Sequence, residues 1–184
     1  MSDDRLRSWR ILSSDYPIAT RFLRLRAARV ELPAGTVVEE YFVRESYGFS
    51  VVLALTPEER VILVRQYKHG IAEVVTELPA GGIDADETPA DCAIRELREE
   101  TGYAGSPPEH VRSFITDPTN SNSRYHLFIV RDAVPEHEPA PDPTEEIDVL
   151  LAPLDEVRAM ALDGRIAAGT QVAAVLVGLA ALGR

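Results

Sequence analysis

The sequence predicts an α/β (α+β) protein, a mixed sheet flanked by helices with an N-terminal antiparallel strand extension over residues 1–45. Three observations carry this. Short β-branched and apolar runs recur between turn residues. Helical spacing of apolar residues appears after Thr88 and twice near the C-terminus. The length, 184 residues, suits one hydrophobic core with a small appendage.

The elements follow in order. Over residues 23–32 apolar and charged residues alternate, and the alternation slips by one at Ala28, which predicts a strand with a bulge. Pro33-Ala34-Gly35 reads as a turn, and residues 37–43 as a second strand. Residues 50–55 and 61–64 are β-rich and read as a hairpin joined by Thr56-Pro57-Glu58-Glu59-Arg60. Further strands are expected at 74–78, 111–116, 125–130 and 147–151. The stretch 131–146 carries Pro135, Pro139, Pro141 and Pro143 among acids, and reads as a long loop, either functional or disordered. Helices over 154–162 and 170–182, separated by Asp163-Gly164, end the chain.

Composition narrows the function. The net charge is -11, so phosphate backbones repel the chain and nucleic acid is not an expected partner. The single cysteine allows no internal disulfide, which suits a reducing compartment. The opening residues lack a signal-peptide core, and the greasiest stretch, 172–182, is too short to cross a bilayer. A cytoplasmic setting with no membrane partner is expected.

Acid is concentrated between Gly81 and Tyr103, GGIDADETPADCAIRELREETGY, with seven carboxylates against two arginines. Thr88-Pro89-Ala90-Asp91 is a helix start and Gly102 a helix stop. On a helical wheel Ala90, Ile94, Leu97 and Thr101 form the packing face, while Glu96, Glu99 and Glu100 share another. Such a trio repels itself. It is either a solvated acidic face or an oxygen-only site for Mg²⁺ or Mn²⁺. Arg95 adjoins the trio and could hold one of its carboxylates by a charge-assisted bond.

The spacing decides between these. Gly81, Glu87, Arg95-Glu96-Leu97, Glu99-Glu100 and Gly102 resemble the Nudix box, G-x5-E-x7-R-E-U-x-E-E-x-G-U with U apolar. Every fixed position matches, and Tyr103 alone departs, an aromatic residue where an aliphatic one is usual. The resemblance implies an α/β/α sandwich with a mixed sheet. It also implies metal-dependent hydrolysis of a nucleoside diphosphate linked to another group. By family position Glu96 and Glu100 are implied as principal ligands, Glu99 as an assistant and the Ala80 carbonyl as a further ligand. Glu87 and Arg95 are implied to orient the loop and the ligands.

Thr76-Glu77-Leu78-Pro79-Ala80-Gly81 looks like the segment leading into the box of ADP-ribose and ADP-sugar pyrophosphatases, with Glu77 and Gly81 in supporting places. Pro118, 15 residues beyond the box, matches a mark of the same branch. In Val64-Arg65-Gln66-Tyr67-Lys68, similar to that branch's strand end, Arg65 or Lys68 is placed to meet substrate phosphates. ADP-ribose is therefore the expected substrate, with GDP-mannose or another nucleoside diphosphate sugar as the alternative. A non-catalytic nucleotide-sensing module is a third reading, opposed by the complete set of box carboxylates.

Ser121, Ser123 and Arg124, in a polar loop after Pro118, suit hydrogen bonds to a sugar or base. The branch forms homodimers that exchange N-terminal strands, so a homodimer is expected, with Trp9, Tyr16 and Phe22 as candidates to stack on the base. The resemblance puts a catalytic glutamate on the loop before the last strand. Glu145 and Glu146 are the candidates for general base, Glu145 favoured by alternation with Ile147, and Glu99 is the alternative within the box. Cys92 reads as a small helix-packing residue and His126 as a satisfied strand histidine.

Overall fold

The computed structural model describes residues 7–184; residues 1–6 of the expected extension lie outside the described residues. The chain divides into two compact units. One runs up to Tyr47 and takes in Ile115–Ser123; the other comprises Gly48–Phe114 and Arg124–Arg184.

In the first unit β1 (Arg10–Ala19), β2 (Arg24–Glu31) and β3 (Val37–Glu45) form an antiparallel sheet in that order. The extension thus has three strands where the sequence suggested two. The first escapes notice because its apolar residues follow no two-residue period and Pro17 interrupts them, which an edge strand tolerates. The bulge expected in β2 is corrected: the register does shift between Ala28 and Val30, but the extra residue is on β3, where Glu39 and Glu40 stand opposite Arg29. Glu45 gathers Arg24 at 3.1 Å and Arg26 at 2.7 Å across the sheet. Residues 115–123 fasten onto β3: Asn120 donates to the Phe42 carbonyl at 3.0 Å, and Tyr41 donates to the Thr119 carbonyl at 2.5 Å.

The second unit holds β4 (Phe49–Ala54), β5 (Arg60–Lys68), β6 (Glu73–Glu77), β7 (Ala80–Gly82), α1 (Pro89–Thr101) and β8 (Tyr103–Ala104). It continues with β9 (Glu109–Ile115), β10 (Arg124–Val130), β11 (Val134–Pro135), β12 (Ile147–Pro153), α2 (Leu154–Asp163) and α3 (Gly169–Ala181). One sheet runs β7-β4-β10-β9, with β4 parallel to β10 and antiparallel to β7, so it is mixed. A second runs β12-β5-β6, antiparallel throughout.

The hairpin expected from 50–64 is corrected. Only a single bridge, Leu55 to Val61, joins the two strands, and each then enters a different sheet. Both are continuous apolar runs buried on two faces, and such runs do not reveal which ladder they join. The expected loop 131–146 is also corrected in part. It contains β11, which pairs with β8, and Ala140 donates to the Glu99 carbonyl at 2.8 Å.

Alternation along β4 builds the layers. Val51, Leu53 and Leu55 face a core completed by Val157, Met160, Ile166, Val175 and Leu179 of the C-terminal region. Val52 and Ala54 face the opposite core, with Ala93 and Leu97 of α1. Helices therefore cover both sides of the sheet in this unit, as an α/β/α sandwich requires.

Candidate active site

The site is built on α1 and on the strand and loop that precede it. Thr88 caps the helix, its hydroxyl accepting the Asp91 N–H, and Pro89 fills the first turn, where no N–H is needed. Gly102 ends the helix with a φ of 75°, a conformation that favours glycine, and a Cβ there would also strike the His137 carbonyl.

The seated face of α1 differs from the expected one. Ala93, Leu97 and Thr101 are buried with Ala90 beside them, but Ile94 is 47% exposed. The helix is turned so that Glu100 points inward and is only 2% exposed. Its Oε2 accepts the Ala80 N–H at 3.0 Å, which repays part of the cost of burial. Desolvation, and then the charge of Glu96, push its carboxyl up to about 8. Burial likewise raises Glu96, against the opposing pull of Arg95. Glu145 adds to the repulsion on both, so Glu96, Glu100 and Glu145 form one electrostatically coupled group. Lys68 is the cation that counters Glu100, and it also lies 3.5 Å from Glu77.

Arg95 does more than the sequence suggested, since it holds three carboxylates rather than one. It grips Glu87 with two nitrogens, at 2.8 and 2.9 Å, and holds Glu87 well below the ordinary carboxylate range. One Nη meets Glu96 at 2.7 Å and Glu99 at 3.1 Å, and the other donates to the Gly82 carbonyl at 2.9 Å. The guanidinium thus stitches the loop to the helix and offsets the repulsion along it. Among the described residues no three His, Cys, Asp or Glu side chains already form a metal cage. Glu96 and Glu99 each commit one oxygen to Arg95.

Two bracing residues were not read as such from sequence. Ser50 donates to the Pro89 carbonyl at 2.7 Å and pins the helix start to β4. Its only signal is a hydroxyl within an apolar run. Cys92 shares its thiol between the Gly81 and Gly82 carbonyls, both at 3.4 Å. Burial raises its pKa to about 11, so it packs and braces rather than attacks.

Comparison with known proteins bears on this arrangement. The NUDIX domain family matches residues 46–173, and the nucleoside diphosphate sugar hydrolase N-terminal domain matches residues 9–43. The chain belongs to the NUDIX family. This Nudix hydrolase is 33% identical to the methanol dehydrogenase activator of Bacillus methanolicus over 156 residues, 84% of each chain. It is 32% identical to an ADP-ribose pyrophosphatase of Bacillus subtilis over 128 residues, 69% of each chain. A solved structure described as an ADP compounds hydrolase shares its fold with a TM-score of 0.83, at 21% identity over 97% of this chain and 96% of that one.

The remaining candidates of this Nudix hydrolase sit as follows. Glu145 is half-buried and Glu146 exposed, and the alternation continues through Ile147 and Val149, half-buried like Glu145. Arg65 is exposed on β5, and Arg124 is exposed at the start of β10. A cavity of about 280 Å³ opens beside Glu99, lined also by Arg98, His137 and Ala140. It is smaller than the pockets that enclose drug-sized ligands.

Pro118, Ser121 and Ser123 belong to the first unit. Pro118 is exposed in a turn held by Asp117. Ser121 and Ser123 are buried, and the Ser121 hydroxyl donates to the Arg44 carbonyl at 3.1 Å, so it braces the loop on β3. Trp9 packs edge-on against Tyr41, and Tyr16 donates to Glu45 at 3.2 Å. Phe22 is 84% exposed, with the Arg21 guanidinium over its ring. His126 is satisfied by the Ser113 hydroxyl at 2.8 Å. No helix among the described residues is long and apolar enough to cross a membrane.

Proposed function

We propose that this Nudix hydrolase cleaves the pyrophosphate of a nucleoside diphosphate sugar, with ADP-ribose as substrate and AMP and ribose 5-phosphate as products. The observation that carries the reading is the coupled carboxylate group of Glu96, Glu100 and Glu145, set against Ala80 and Arg95. The match of residues 9–43 to a domain of nucleoside diphosphate sugar hydrolases supports the substrate class. Relatives named ADP-ribose pyrophosphatase and ADP-sugar pyrophosphatase support the choice of ADP-ribose.

The donor set is all oxygen, partly desolvated and mutually repelling, which suits a hard divalent cation. Glu96, Glu100 and the Ala80 carbonyl would hold Mg²⁺ or Mn²⁺, with Glu99 assisting. Bound there, the ion would offset charge on the phosphoryl oxygens. Arg95 and Glu87 fix the loop and so orient the ligands. Glu145 takes a proton from the attacking water; the new P–O bond forms as the bond to the bridging oxygen breaks. Arg65 and Lys68 receive the substrate phosphates. The chain works as a homodimer, for which the exposed apolar residues of the first unit are the motive.

A panel of nucleoside diphosphate sugars with Mg²⁺, products identified by mass, tests the reading. AMP and ribose 5-phosphate from ADP-ribose are expected. Faster cleavage of GDP-mannose would replace the substrate, and no cleavage of any member would overturn the reading.

A further inference from the structure

We infer that Gln171 is a positioning residue for the acidic cluster, acting from α3 through the backbone of Leu78 on Ala80 and Glu100. The inference rests on the reading of Glu100 as part of the metal-holding group.

The chain changes sheets between β6 and β7. Glu77 is the last residue paired with β5, and Ala80 is the next one paired, with β4. Pro79 has no N–H, and its carbonyl accepts from Val52 at 2.9 Å. Leu78 therefore lies in the gap between two ladders, and it is fully buried. A buried backbone amide must find partners. Gln171 supplies both: its Oε1 accepts the Leu78 N–H at 3.0 Å, and its Nε2 donates to the Leu78 carbonyl at 3.4 Å. Gln171 itself is 4% exposed, so water cannot readily replace it.

The next free donor along the chain is the Ala80 N–H, which goes to Glu100 rather than to a ladder. Only Pro79, with its fixed φ, separates the clamped residue from the donating one. Holding Leu78 thus fixes where the Ala80 N–H points. Without the clamp the turn at 78–80 gains freedom, and Glu100 loses the aligned donor that offsets its burial.

The test uses the full chain with Gln171→Met, which keeps the volume and loses both hydrogen bonds, and Gln171→Glu, which keeps the acceptor. Amide exchange is read residue by residue without substrate, together with the Mn²⁺ binding midpoint and kcat and KM against wild type. In Gln171→Met, exchange at Leu78 and Ala80 should speed by about tenfold while β5 and the middle of α1 keep their protection. Mn²⁺ binding should weaken, and kcat should fall by about tenfold with KM little changed. Gln171→Glu puts a carboxylate oxygen against the Leu78 carbonyl in a buried place, so it should weaken each readout at least as much as Gln171→Met.

Unchanged exchange at Ala80 would overturn the inference. So would a uniform loss of protection with activity following the folded fraction, because Gln171 would then only pack. If the wild type neither binds Mn²⁺ nor cleaves any nucleotide sugar, the functional reading fails instead, and exchange at Leu78 and Ala80 still decides the clamp.

Discussion

The Glu96 carboxylate lies so close against the backbone of Gly81 that a methyl group on Gly81 would overlap it. The φ of Gly81 is not left-handed, so the glycine is required for space and not for backbone freedom. Glu96 is held there by Arg95, which also grips Glu87 of the same loop. Gly81→Ala should therefore fold normally, since the displaced atoms are the end of a flexible side chain. It should lower kcat by about 30-fold, because that end is a proposed ligand. Circular dichroism and steady-state kinetics check both halves. A variant with near-full kcat would show that the carboxylate need not sit where Gly81 lets it.

The buried Glu100 links activity to stability. Its folded pKa of about 8 exceeds the ordinary value of 4.5, so the folded state binds the proton more tightly than the unfolded state. The resulting stability is present below the unfolded value and is lost as pH rises through about 8. In a chelator, Glu100→Gln should thus melt above the wild type near pH 9, and the gain should shrink near pH 5. The same variant should lose at least about 100-fold in kcat with Mg²⁺ present. Melting curves at the two pH values, and kinetics at saturating Mg²⁺, are the measurements. A lower melting point near pH 9 would contradict the burial-driven shift.

How much of this was legible in the sequence follows from distance along the chain. The box reads well because Gly81, Glu87, Arg95, Glu96 and Glu100 lie within one loop and one helix, where spacing is geometry. The helix caps Thr88 and Gly102 read well for the same reason. The inward turn of Glu100 did not, since its partner Ala80 lies on a strand and its polarity argues for exposure. The helical wheel puts Ile94 on the packing face, yet it is exposed, because the sheet accepts the small Ala93 against it instead. The parting of β4 from β5, and the attachment of residues 115–123 to β3, depend on ladder partners far away in sequence. Gln171 is 93 residues from Leu78, and a glutamine in a helix carries no mark of its target.

A homodimer is expected from the surface of the first unit. Trp9, Ile11, Ile18, Phe22 and Phe42 are all at least 38% exposed there. Exposed large apolar side chains on so small a unit are the motive for an interaction surface, and a sheet this small gains stability by being covered. Sedimentation at micromolar concentration should give about twice the 20.3 kDa chain mass. Replacing Phe22 and Trp9 with serine should shift the species toward monomer. A wild type that sediments only as monomer would end the case for strand exchange.

The geometry favours Glu145 as the general base. Glu145 and Glu146 are adjacent, but only Glu145 is turned inward, and only Glu145 acts on the charges of Glu96 and Glu100. A carboxylate committed to a cation has little affinity for a proton, which argues against Glu96 and Glu100 as base. One Glu99 oxygen accepts from Arg95 at 3.1 Å and so is not free to meet a water. Among the described residues, the Glu145 carboxylate bonds back only to its own turn, at the Asp142 N–H, 3.4 Å away. Glu145→Gln should therefore lower kcat by about 100-fold and remove the acidic limb of its pH profile, while Glu146→Gln should leave both within about threefold of wild type. Glu99→Gln should lower kcat but keep the acidic limb. If Glu145→Gln retains that limb and most of its rate, the proton goes elsewhere. Loss of the limb in Glu99→Gln would then move the base into the box.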